Sequence, residues 1–174
     1  MQMLVDFPGE MPLVIGDAIH NLRAALDLTM CDVARAQGKS TAGIKFPFAE
    51  NAKKLEAIFR DKEIKRLGPD IKKMILDMQP YKFGNISLRA LHDLDIDDKH
   101  KLILPAGFSL ASGGIPNLWS HRDDLQFGIH STLFAEPVIG PPVLVTLEGF
   151  VELTEGIVEA FATVCGLGRD AVAE

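Results

Sequence analysis

The chain is short of cysteine, of basic charge and of long apolar runs, and each shortage excludes something. Cys31 and Cys165 are the only two cysteines in 174 residues. They lie far apart and form no CxxC pair, so no disulfide framework can be read. Each falls in an apolar periodic segment, where a buried free thiol is expected. No apolar stretch approaches the roughly 20 residues that span a bilayer. The start, Met1 to Pro12, has neither the basic end nor the apolar centre of a signal peptide. The expected compartment is the cytoplasm, with no membrane partner.

Lys and Arg number 18 against 24 Asp and Glu, a net charge of −6. That balance argues against a broad surface for nucleic-acid phosphates, and no DNA partner is expected. Lys53, Lys54, Arg60, Lys62, Lys65, Arg66, Lys72 and Lys73 do crowd into one stretch. On a helical segment such a run reads as a solvated face. Catalytic signatures are scarce too. There is no GxSxG turn and no HxxxH or HExxH spacing, and Gly113-Gly114 lacks the Lys-Ser/Thr pair of a phosphate loop. No cofactor is implied.

What is present suits one folded domain over residues 1–174: 47% hydrophobic and 24% charged residues. From Leu13 to about Ala36 the residues Ile15, Ile19, Leu22, Leu26, Met30 and Val33 share one helical face within roughly 80°. Gly38 is placed to end that helix. Ile44 to Phe48 reads as a short extended piece. Further helices are predicted over Ala49–Arg60 (Leu55, Ile58, Phe59 inward), from Pro69 towards Pro80 (Ile71, Met74, Ile75, Met78), and from a Ser87 cap through Leu94. Asp97 or Asp98 would cap a short turn, Lys99 to Leu104, closed by Pro105. Beyond it, turn signals separate strand-like runs at Phe108–Leu110, Leu125–Phe134 and Val143–Leu147. Phe150 to Val164 reads as a closing helix stopped by Gly166. The expected fold class is α+β: about four helices in residues 13–104, a small antiparallel sheet in 106–148, and a C-terminal helix over 150–165.

The first helix carries the best candidate site. Asp17, His20, Asp27 and Cys31 cluster opposite its apolar stripe, with Arg23 at the border. His20, Arg23 and Asp27 are spaced i, i+3, i+7, so neighbours in the series can meet. A carboxylate beside an imidazole fixes its tautomer and raises its basicity, as a general base requires. Arg23 is a two-pronged donor for phosphate or carboxylate. The same row also reads as a structural salt-bridged face. His92, Asp93, Asp95, Asp97, Asp98, Lys99 and His100 form a second polar run. A metal-dependent hydrolase built there is the weakest reading, because Lys99 and Lys101 repel a cation. His121 and His130 fall before and within a predicted strand, where structural roles are commoner.

Gly16-Asp17-Ala18-Ile19-His20-Asn21-Leu22-Arg23-Ala24-Ala25-Leu26-Asp27 resembles the hallmark of a bacterial protein family that pairs a GDxxHNLRxxLD helix with FP, QPY and DKH. Here those are Phe46-Pro47, Gln79-Pro80-Tyr81 and Asp98-Lys99-His100, in the same order. The resemblance covers Ile15 to about Leu104. It implies that the hallmark helix and DKH meet, gathering Asp17, His20, Asn21, Arg23, Asp27, Lys99 and His100 into one polar cluster.

The segment also resembles HEPN-type helical domains, many of them RNA-cleaving or nucleotide-associated, which carry Arg, four to six residues, then His. Leu28 stands where a histidine would complete Arg-x4-His after Arg23, so His20 and His100 would have to substitute. The function this implies is binding of an anionic ligand, such as a nucleotide or RNA phosphate. His20, Arg23 and His100 are the candidate catalytic residues, and Asp17, Asn21, Asp27 and Lys99 the candidate ligand contacts. The rival expectation is a non-enzymatic interaction module that dimerises through the apolar stripe of the first helix or a strand edge.

Overall fold

A computed structural model describes residues 11–101, 106–110, 125–129 and 143–166, with side chains for 13–96 and 143–166. Within these residues the order is α1 (Met11–Ala36), α2 (Ala52–Asp61), a 3₁₀ turn (Glu63–Leu67), α3 (Pro69–Met78), α4 (Ile86–Lys101), β1 (Ala106–Leu110), β2 (Leu125–Ile129) and α5 (Val143–Val164). The architecture is all-α, which corrects the α+β expectation. Among the described residues β1 and β2 pair only with each other, antiparallel from Ala106↔Ile129 to Leu110↔Leu125. This two-stranded ribbon, with β2 against α5, is an appendage of the helices rather than a layer of its own.

The third expected strand is helix. Val143–Leu147 forms the first turns of α5. Its β-branched composition suggested a strand, yet Val143, Leu147, Phe150, Thr154, Ile157 and Phe161 repeat at alternating steps of four and three residues. All but the partly covered Leu147 are buried. Burial of one long stripe outweighs a weak local β preference.

α1 packs against α4 and α5, and α4 also touches α5. The stripe read from sequence is the reason: Ile15, Ile19, Leu26, Met30 and Val33 are each at most 5% exposed. This face lies in the core of the same chain, so it is not open for the homodimer contact expected of it. α1 ends in a Schellman motif. The Lys39 amide reaches the Ala34 carbonyl and the Gly38 amide the Arg35 carbonyl, both at 2.8 Å, with Gly38 left-handed at φ +65°.

α2 starts at an Asn51 cap, whose side chain accepts the Lys54 amide at 3.0 Å, and buries Leu55 and Phe59. α3 begins at Pro69, as read, and buries Ile71 and Ile75. α4 departs from expectation twice. Its cap is Asn85, whose Oδ1 accepts the Leu88 amide at 3.0 Å, rather than Ser87. Its backbone also runs unbroken through Asp97 and Asp98 to Lys101, with no Pro or Gly to stop it before Pro105.

The basic stretch is a solvated face as expected, with all but the half-buried Arg66 exposed. Both cysteines are free and half-buried rather than buried, and partial burial raises the Cys165 thiol pKa. No described helix is long and apolar enough to cross a membrane.

Candidate functional site

The segment Ile44–Phe48 decides the site. It lies against the polar side of α1, the side that the wheel alone would leave to solvent. Phe46 is 2% exposed and Pro47 is buried. Its backbone groups then need partners, because an unpaired buried amide or carbonyl is costly. α1 supplies them. Asp27 Oδ1 accepts the Phe46 amide at 2.8 Å, and Arg23 Nη2 donates to the Phe46 carbonyl at 3.4 Å. Cys31 Sγ donates weakly to the Ile44 carbonyl at 3.9 Å. The segment is held from its far end by the QPY turn, where the Ala49 amide donates to the Pro80 carbonyl at 3.0 Å. Three of the four sequence motifs therefore meet around one strip of backbone.

Arg23 sits at the centre of this cluster, 8% exposed. Its Nη1 is 2.8 Å from Asp27 Oδ1 but makes no aligned hydrogen bond, so that contact is ionic. Its Nε donates to His92 Nδ1 at 3.4 Å. Its guanidinium carbon lies 4.6 Å from the Phe48 ring centre, a cation–π contact. Phe48 and His92 stack at 4.1 Å with planes 3° apart.

Burial, together with the cations Arg23 and Arg89, pushes the His92 pKa down to about 4, against the opposing pull of Asp93 and Asp95. The ring is neutral at physiological pH. Since Nδ1 accepts from Arg23, its proton is assigned to Nε2. Arg89, one turn earlier on α4, donates to the Ala49 carbonyl at 2.8 Å and pairs with Asp93 at 2.7 Å.

One turn towards the start of α1, His20 Nδ1 lies 2.9 Å from Asp95 Oδ1. His20 is half exposed, while Asp95 is almost wholly covered. α1 and α4 are thus antiparallel, with 20 facing 95 and 23 facing 92. Of the candidates read from sequence, His20 and Arg23 belong to this interface, and Asp27 joins the cluster through Arg23 and the Phe46 amide. Asp17 and Asn21 are exposed on α1 and take no part in these contacts. Lys99 and His100 lie in the last turn of the α4 backbone, and their side chains fall outside the described residues, as do His121 and His130. His100 is two turns beyond His92, roughly 12 Å along the axis. Among the described residues, the histidine that meets Arg23 is His92.

Sequence reading passed over His92, Asp95, Phe46 and Phe48. The first two sat in a polar run weighed only as a metal site, and Phe46 only as half of a motif. The available signal was Asp27 and Arg23 on α1 together with an FP pair, which means buried backbone in want of a donor and an acceptor. Among the described residues, no group of three or more His, Cys, Asp or Glu is placed to hold a metal ion. No family model, curated protein or solved structure matches the chain.

Proposed function

We propose that the chain is a non-enzymatic binding module in which the α1–α4 polar cluster is an internal brace. One observation carries this. The Arg23 guanidinium is enclosed by Asp27, the Phe46 carbonyl, His92 and the Phe48 ring. A phosphate would have to displace those partners and reach a side chain that is almost fully covered.

A second reading, action on RNA or a nucleotide phosphate, rests on the His20–Asp95 pair. A carboxylate holds that imidazole by Nδ1 while half of the side chain meets solvent. This is the arrangement a general base uses, and His20 meets solvent where Arg23 does not.

Two variants separate the readings. The brace predicts that Arg23→Ala lowers stability in urea by about 3 kcal/mol, the low end for breaking a buried pair because Asp27 is partly exposed. An Arg23→Ala protein as stable as the parent, or more so, would overturn it, since residues kept for a site often cost stability. The RNA reading predicts that the parent cleaves or retains a single-stranded oligoribonucleotide and that His20→Ala abolishes this. A parent inert towards the oligonucleotide sinks it.

A further inference from the structure

Beside the brace, between α2 and α4, lies an open cleft of about 450 Å³. That is within the range of small-molecule sites. Phe48, Ala57, Ile58 and Ile96 form its apolar lining, and Lys54, Lys62, Glu50, Asp61 and Arg89 its charged part. Ile96 is 38% exposed, a large apolar side chain at the cleft on a helix whose other apolar positions along this stretch, Leu91 and Leu94, are buried. Ala57 is the one small side chain on the α2 wall, and it leaves the space open.

Among the described residues, the charges around the cleft are not balanced. Glu50 is taken by Lys82 at 3.1 Å and Arg89 at 3.5 Å, and Lys82 holds its carboxyl below the ordinary range. Asp61 is taken by Arg60 at 2.9 Å, which lowers its pKa in the same way. Arg89 itself is tied to Asp93 and the Ala49 carbonyl. Lys54 and Lys62 remain, exposed and in no ion pair among the described residues. Two ammonium groups outside any described ion pair, Lys54 within the field of Glu50 and Lys62 within that of Asp61, therefore flank an apolar hollow walled by the flat Phe48–His92 stack, in a chain whose net charge is −6.

We infer that this cleft binds a small organic anion with a flat unsaturated body: its ring between Ile58, Ile96 and the Phe48–His92 stack, its carboxylate or phosphate at Lys54 and Lys62. The inference goes beyond the brace, which would stand or fall on stability alone.

The test is calorimetric titration of the full chain with 1-naphthoate and with adenosine 5′-monophosphate, using naphthalene-1-methanol and adenosine as neutral counterparts. Saturable one-to-one binding of one anion is expected, and which one binds distinguishes an aromatic acid from a nucleotide. The double substitution Lys54→Ala, Lys62→Ala should weaken it by about a hundredfold, the loss of two charge-assisted hydrogen bonds at about tenfold each. Both side chains are exposed, and the Asn51 cap uses only the Lys54 backbone, so the fold is untouched. Ala57→Phe, which fills the hollow, should abolish binding. Absence of binding by both anions, undiminished binding in the double variant, or equal affinity for the neutral counterparts would each overturn the inference.

Discussion

His92 shows how far one side chain's chemistry depends on its neighbours. In the unfolded chain it titrates near 6.5, whereas in the native protein burial and the adjacent arginines hold it neutral down to about 4. The native state thus refuses a proton that the unfolded state accepts. Stability from this source is complete above pH 6.5 and is lost progressively as the pH falls towards 4. His92→Phe keeps a ring against Phe48 and removes the titration. In urea unfolding between pH 7.5 and 5, the parent should lose stability faster than the variant, most steeply below pH 6.5. Parallel curves would contradict the assignment. Carboxylate protonation affects both proteins and begins mainly below that window.

At the scale of elements, helices with clear punctuation were legible and those without it were not. Pro69 and Gly38 mark boundaries that the backbone observes, because each has few conformations to offer or is needed for one that others avoid. Ser87 and Asn85 are both competent caps, and nothing local to the sequence ranks them. The QPY turn does: the Asn85 amide is tied to the Gln79 carbonyl at 2.9 Å, which places Asn85, two residues ahead of Ser87, at the helix start. Asn85→Ala should therefore cost about 1 kcal/mol and Ser87→Ala very little, as measured by thermal unfolding. Equal losses would return the cap to Ser87. The start of α5 failed for a different reason. Five residues of Val143–Leu147 composition favour a strand, and only the period shared with Phe150 through Phe161 shows that they continue a helix.

For the molecule as a whole, the sequence exposed the polar row on α1 but not its depth. His20, Arg23 and Asp27 share a face by arithmetic. Whether that face meets water depends on Ile44–Phe48 and α4, which are distant along the chain. The segment covers Asp27 and Arg23 and leaves His20 at the edge, so one row divides into a brace and a half-open imidazole. The central claim is that Arg23 and Asp27 exist to hold this strip of backbone against the helix. Amide hydrogen exchange followed by NMR reports on it directly through the Phe46 N–H, which donates to Asp27. The account predicts that this amide is protected in the parent and that Asp27→Ala speeds its exchange by well over the factor seen at core helical amides such as Leu26 and Ile75. A Phe46 amide already unprotected in the parent, or one whose exchange changes only in step with the core, would contradict it.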